Sequence, residues 1–404
     1  DMAIRATIQP SKDSGGNVVS GASVAFAVTA GGGSFVNSTA VSTNSSGIAT
    51  STTWTTGTTV GANSATATVA GITSVTFTAT TVVGSFSASA STLTTAVNSL
   101  TVGSSNTTTV TVTVKDANSN VITGAASDVT LTVSSGAGSI GSVTNNNNGT
   151  YTATYTAGNT AGAVIISGMY GGTALTDKSI TLVAGPATKY LVTTSTSSVT
   201  AGSTLTATAQ LADEYNNAVA TSGQVVTWSA SNSGSFSPTT STTNASGIAT
   251  VTYTTNVTVA SSATVTATTG SNTGTSASFA TVAGAAYSIT INAGNNQIAT
   301  VNTNVTTAPS VIIKDANNNV VAGTAVSFTV LTGSGTVVTG AAATSNSNGV
   351  ASVTSWTLGT TAGSDNNTLQ ASVSGLTSQT FTASSTAGTA TQMSIYAGND
   401  QTAV

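Results

Sequence analysis

Apolar and polar positions alternate along this chain with a period of two. Val24-Phe26-Val28, Val129-Leu131-Val133, Val226-Trp228-Ala230 and Val326-Phe328-Val330 all follow this rule, with small or polar residues between them. Period-two alternation describes a strand with one buried and one wet face. Each run is followed by a Gly/Ser-rich turn and a further apolar position, at Phe35, Ile140, Phe236 and Val337. A second alternating run comes next, in GIATSTTW, GTYTATY, GIATVTY and GVASVTSW. Val, Ile and Thr dominate these segments, and their stiff χ1 favours strands. No helical period competes.

The runs recur. An Asp-containing turn stands at Asp13, Asp116, Asp213 and Asp315, a turn Gly at Gly47, Gly149, Gly247 and Gly349, and a closing Gly at Gly84, Gly185, Gly284 and Gly388. All three columns keep a spacing of about 100 residues, which marks a tandem repeat. Short strands with turns every 8–12 residues in such a unit predict immunoglobulin-like sandwiches. The expected fold is therefore all-β: four tandem immunoglobulin-like antiparallel β-sandwiches of about 100 residues each, in a linear array. The expected boundaries are 1–84, 85–185, 186–284 and 285–388, followed by a lone strand at 389–404.

Composition narrows the function. Charged residues are 4% of the chain, Lys+Arg is 6 against Asp+Glu 10, and there is no His and no Cys. A Cys nucleophile, a Ser-His-Asp triad and a His/Cys metal site are thereby excluded. Six basic residues cannot neutralise a run of phosphates, so a nucleic-acid partner is not expected. No apolar run is long enough for a membrane-spanning helix. Hydrophobic content of 39% argues for folded domains over a disordered chain. A neutral Thr/Ser/Asn surface favours close packing of copies. No enzymatic activity is expected, and no pair of acids suits glycoside hydrolysis.

The marker residues resemble the bacterial Ig-like domain of group 1, whose tandem copies build the stalks of invasin and intimin. The fourth repeat carries the pattern at Asp315, Asn319, Val320, Gly323, Val326, Phe328 and Gly349. The first carries it at Asp13, Asn17, Val18, Gly21, Val24, Phe26 and Gly47. The second departs with GTYTATY, the third has Glu214-Tyr215 within its turn, and the family's usual Pro before the turn Val is absent throughout. The resemblance implies a shaft at a bacterial cell surface. No segment resembles the receptor-binding tip of those adhesins.

The frame of the repeat supplies the most specific expectation. Ala293-Gly294-Asn295 in the fourth repeat recurs as Ala397-Gly398-Asn399, so 393–404 reads as the first strand of a further repeat. Asp1 stands only 12 residues before Asp13, so the first repeat lacks that strand. Three explanations follow: donation of the last strand to the first domain of another subunit, a window cut from a longer array, or a frayed end. In the first, a heterologous contact that does not close builds a filament. Met393, Ile395, Tyr396 and Val404 are then the donor residues, Ile4 and Ile8 lie on the receiving side, and the partner is the chain itself. The setting expected is extracellular, at the cell surface, with a structural role in a fibre, sheath or surface layer; the alternative is the stalk of an adhesin whose tip lies elsewhere.

Other candidates have plainer explanations. Asp213 and Glu214 form the best local pair for calcium, which takes oxygen donors, but an Asp beside Asn and Gly ordinarily caps turn amides. Lys12, Lys115 and Lys314 precede the turn Asp and suit an isopeptide bond, yet alternation points Lys115 outward. Trp54, Trp228 and Trp356 sit on alternating strands and are expected in the core. Sequons such as Asn37 and Asn366 are no more frequent than composition predicts.

Overall fold

The computed structural model describes residues 3–9, 11–123, 129–339 and 343–403. All regular elements among them are strands, so no helix is long and apolar enough to cross a membrane. The chain divides into two compact units, Asp1–Gly185 and Pro186–Val404. Each unit holds two hydrophobic cores, and each core belongs to one repeat.

In the first unit, the second repeat shows the sandwich in full. One sheet runs Gly138–Ile140, Thr150–Ala157, Thr107–Thr113, Thr92–Thr95. The other runs Val129–Ser135, Gly162–Tyr170, Lys178–Val183, Ser99–Thr101. All neighbours are antiparallel except the last pair, where Thr181 lies parallel to Ser99. The opening segment thus serves both sheets: Leu93 pairs with Val112 on one, and Leu100 with Leu182 on the other. Alternation decides what is inside. Val110, Val112 and Val114 are fully buried beside Tyr151, Tyr155, Ile166 and Ile180.

The first repeat has the same two sheets with fewer strands. Ala3–Ile4 pairs with Trp54–Thr56, which pairs with Gly33–Phe35. Ser23–Ala30, Gly61–Thr68 and Val75–Thr81 form the other sheet, with Val41–Ser42 at its edge. Its core is small, built on Ala6, Ile8, Val24, Phe26, Ala49 and Ala67. Phe35 stacks on the buried Trp54 at 6.1 Å. Among the described residues, no strand pairs with the outer edge of Ala3–Ile4 or of Val75–Thr81.

In the second unit, the fourth repeat repeats the crossing of its opening segment. Ile289 pairs antiparallel with Ile313, and Gln297–Thr300 runs parallel to Ala383–Thr386. The third repeat differs from the expected pair of separate sheets. A parallel contact of Lys189 with Thr273 joins eight of its strands into one path, while Ser198–Thr200, Phe279–Val282 and Ala260–Ala263 form a separate three-stranded sheet. Gly274 explains the approach: a Cβ there would lie 1.9 Å from the Tyr190 carbonyl oxygen, so only glycine lets the two strands meet.

The Trp residues are core, as alternation indicates, with Trp54, Trp228 and Trp356 all buried. The turn-Gly column has a backbone cause. Gly47, Gly149, Gly247 and Gly349 all have φ between 71° and 81°. A Cβ on Gly47 would also strike the Val18 side chain at 2.5 Å. Both demands exclude other residues there.

Candidate functional site

The Asp turns are the most regular feature of the chain, and they do more than turn it. In each, residue four after the Asp donates its backbone N–H to the carboxylate: Asn17 to Asp13, Asn120 to Asp116, Asn217 to Asp213 and Asn319 to Asp315. The residue three after the Asp takes positive φ, as Gly16, Ser119, Asn216 and Asn318. A bridge closes the hairpin at Lys12–Val18, Lys115–Val121, Ala212–Ala218 and Lys314–Val320. One carboxylate oxygen, Oδ1, is used up by local amides.

At two of these turns the other oxygen reaches the preceding repeat. In the first unit, Asp116 Oδ2 accepts from the Gly84 N–H at 2.9 Å and from Asn120 Nδ2 at 2.9 Å. Asn120 continues the contact: its Nδ2 donates to the Thr58 carbonyl at 2.8 Å, and its Oδ1 accepts from the Val60 N–H at 3.1 Å. In the second unit, Asp315 Oδ2 accepts from Gly284 N–H and Asn319 Nδ2, both at 2.9 Å. Asn319 donates to the Val257 carbonyl at 2.8 Å and accepts from the Val259 N–H at 3.1 Å. Two junctions, in separate units, thus share one set of bonds. We call this Asp–Asn pair the clasp.

Electrostatics follow from the donors. The Asn120 side chain, then the Gly84 amide, hold the Asp116 carboxyl below its ordinary 3.8, at about 2, against the upward push of burial. At Asp315 burial is the largest single influence and pushes upward, but the hydrogen bonds from Asn319, Gly284 and Asn317 together outweigh it and the value stays lowered. Both carboxylates are buried, at 2% and 4% exposure.

Asp13 and Asn17 form the same turn, but both are exposed. Asp13 Oδ1 accepts from the Gly15 and Asn17 amides at 2.9 Å, and Asn17 Nδ2 donates to Oδ2 at 3.1 Å. The Asn17 side chain, more than any other group, lowers the Asp13 carboxyl.

Above this turn the first repeat is open. A cavity of about 370 Å³ is lined by Thr7, Ile8, Ser11 and Lys12 on one side and Ala67, Val69, Ile72 and Val75 on the other. In the fourth repeat, the edge corresponding to Ser11–Lys12 is Ile313–Lys314, and it is covered by Ile289 and Ser288. Ile289 is 4% exposed there and belongs to the core. In the third repeat, Tyr190 takes this place against Leu211.

The residues expected to mediate assembly fall in different settings. Met393, Ile395 and Tyr396 are 100%, 68% and 103% exposed, and 393–403 forms no strand. Val404 lies outside the described residues. Ile4 is half-buried and opposes Trp54. Ile8 is packed into its own core, so it offers only the part of its surface that lines the cavity. The turn of the terminal segment nonetheless matches that of an opening segment at two backbone angles. Gly398 and Asp400 have φ of 87° and 49°, where Gly294 and Asn296 have 85° and 55°. Aligning Ala397-Gly398-Asn399 with Ala293-Gly294-Asn295 sets Met393 against Ile289.

For calcium the turns offer little. Asp213 is 1% exposed and its carboxylate receives the Tyr215 and Asn217 amides and Asn217 Nδ2. Glu214 is exposed, and Lys189 Nζ bonds its backbone carbonyl. Among the described residues, no three His, Cys, Asp or Glu side chains converge.

Sequence reasoning identified the Asp turns and the closing Gly residues as separate features. It missed that Asn120 and Asn319 join them. The signal was present in the paired columns, Asp with an Asn four residues on and a Gly about 30 residues before, but no local rule links them.

One segment of the chain matches a known protein family, and several solved structures are similar to the chain at low identity. Residues 87–185 match the family described as invasin, domain 3. No curated protein sequence matches the chain. Among solved structures, FdeC, an Escherichia coli adhesin, is 24% identical over 75% of this chain and 100% of its own, with a TM-score of 0.42. Invasin, a bacterial integrin-binding protein, is 18% identical over 95% of this chain and 79% of its own, with a TM-score of 0.37. Surface layer protein SbsC, domains 1–6, is 19% identical over 91% of this chain and 50% of its own, with a TM-score of 0.27. Residues 87–185 are thus similar to an invasin domain, in a chain whose described regular elements are all strands.

Proposed function

We propose that this protein, with an invasin-type Ig-like domain at 87–185, is a structural element of a bacterial cell surface. Its work is mechanical. Repeats with separate cores joined by short polar contacts behave as a quasi-one-dimensional array. The clasp at Gly84–Asp116 and Gly284–Asp315 limits bending where the chain passes between repeats. Nothing in its composition suits catalysis, and the polar surface suits an extracellular shaft or layer.

We further propose head-to-tail assembly through the C-terminal strand, with 393–404 of one copy laid into the first repeat of the next. The observation that carries this is the apolar cavity of about 370 Å³ along the uncovered edge of the first repeat. It stands where Ile289 and Tyr190 are seated in later repeats. Met393, in the Ile289 position, is an unbranched side chain that adapts to an irregular cavity. Ile4, beside that edge, and Ile8, in the cavity wall, would be covered by the incoming strand. Backbone pairing of an added strand with this edge supplies affinity, and alternate side chains supply register.

The test is deletion of 393–404, followed by light scattering and electron microscopy of both forms. Filaments from the full chain and monomers from the shortened one are expected. Monomers from both would defeat the assembly reading and leave the second one, the stalk of a surface adhesin, which the invasin domain 3 match favours.

A further inference from the structure

The chain contains two Asn–Gly dipeptides, Asn148–Gly149 and Asn348–Gly349, both in the turn-Gly column. In each the Asn is exposed and the Gly is buried, so access to water does not distinguish them. Their hydrogen bonds do. We propose that Asn148 is a self-modification site, which loses its side-chain amide through a cyclic imide with the Gly149 nitrogen, and that Asn348 is protected from the same reaction. This chemistry does not rest on assembly.

The attacking nitrogen is engaged in one turn and not in the other. The Gly349 N–H donates to the Asn346 carbonyl at 2.8 Å, as Gly47 does to Asn44 and Gly247 to Asn244, both at 2.9 Å. The Gly149 N–H has no such bond among the described residues. The second repeat turns differently: Asn147 takes φ of 59°, where Ser45, Ala245 and Ser347 do not have positive φ, and its N–H donates to Asn145 Oδ1 at 2.8 Å. The group under attack is also prepared. Asn148 Oδ1 accepts from the Thr150 N–H at 3.0 Å and from the Thr150 hydroxyl at 2.7 Å. A side chain bonded to the amide two residues on is folded over the peptide between them, which here holds the Gly149 nitrogen. Two donors on the carbonyl oxygen stabilise the negative charge that forms there when the carbon is attacked. In the fourth repeat the oxygen with two donors belongs to Asn346, which accepts from the Asn348 and Val350 amides and is followed by Ser347.

The step balances with water as the sole co-reactant. The Gly149 nitrogen gives up its proton and forms a bond to Asn148 Cγ. The Cγ–Nδ2 bond breaks, and ammonia leaves with that proton. Water then opens the imide at either of its two carbonyls, which gives aspartate or isoaspartate at 148 and adds one negative charge. Glycine suits the attack because no Cβ crowds its nitrogen. The consequence falls beside one clasp. The Gly149 carbonyl accepts from the Val114 N–H at 3.0 Å, just before Asp116, and a Cβ on Gly149 would overlap the Val121 side chain. Isoaspartate lengthens the main chain by one carbon, at a turn packed against the Asp116 hairpin.

Ageing of the full chain in mildly alkaline buffer tests this, with peptide mapping by mass spectrometry to follow the amide-to-acid mass gain at each site. Conversion at 148 is expected to be about tenfold or more faster than at 348, since the Gly349 N–H must first leave a hydrogen bond of ordinary strength. In denaturant, where neither turn exists, the two rates should converge. Equal rates in the folded chain, or faster conversion at 348, would overturn the proposal. So would a preference for 148 that denaturant leaves unchanged, because its cause would then be the sequence and not the turn. Chains aged until 148 is converted should lose amide-exchange protection at Val114, while Ile313, which donates to the Gly349 carbonyl at 2.9 Å, keeps its own. Unchanged protection at Val114 would overturn the effect on the clasp.

Discussion

The Gly84 N–H donates to Asp116 Oδ2 at 2.9 Å across 32 residues of sequence, and Gly284 does the same to Asp315 across 31. The glycine closes one repeat and the aspartate opens the hairpin of the next. A residue that looks like a turn former is therefore also a joint. Its two oxygens divide the labour: Oδ1 holds the turn and Oδ2 holds the neighbour.

Removing the Asn half of the joint should loosen it while leaving the cores intact. Asn319→Ala takes away the donor to Val257 and the acceptor for Val259, and leaves Asp315 with one partner fewer. About 1–3 kcal/mol is expected for such a buried group. Amide hydrogen exchange should show lost protection at Val259 and Gly284, with Ile313 and Phe381 unaffected.

The joint should also respond to acid. Asp116 is held at about 2 against an ordinary 3.8. A depressed value means that the carboxylate's contribution is complete above pH 3.8 and is lost as pH falls through about 2. Small-angle scattering should therefore find constant junction flexibility at neutral pH and increasing flexibility only between about pH 4 and 2. Loosening at pH 6 would contradict this.

Two of the tryptophans differ in a way that thermal unfolding can read. Trp228 Nε1–H donates to Ser241 Oγ at 2.9 Å, whereas Trp356 Nε1, also buried, has no hydrogen-bond partner among the described residues. Each Trp→Phe change removes ring volume, but only Trp228→Phe also breaks a bond. Trp228→Phe should cost about 1 kcal/mol more than Trp356→Phe. Trp356→Ala, which leaves a large cavity in the fourth core, should cost about 3–5 kcal/mol.

Asn367 is a buried polar side chain with every partner in place: the Gly359 amide on Oδ1, and Asn366 Oδ1 and Ser385 Oγ on Nδ2. Asn367→Leu keeps the bulk and orphans these groups, and should cost about 1–3 kcal/mol. Proteolysis of the loop after Trp356 should quicken while the remaining repeats stay resistant.

Much of this protein is written in local pattern. Alternation at Val110, Val112 and Val114 decides which face is buried, because a strand has only two faces and one must meet the core. The Gly47 column needs positive φ and room beside Val18, and a single residue type supplies both. The Asp turns close through amides within four residues, so their chemistry is readable without a fold. Tertiary structure decided the rest. Whether Asp116 Oδ2 faces water or Gly84 depends on two repeats meeting, which no local rule contains. Likewise, the approach of Gly274 to Tyr190 lets eight strands of the third repeat join in one path, and its cause is a distance between segments about 80 residues apart. Sequence fixes what each strand and turn prefers; only the folded chain brings together groups that share no neighbourhood in sequence, because hydrogen bonds act over about 3 Å of space and not along the chain.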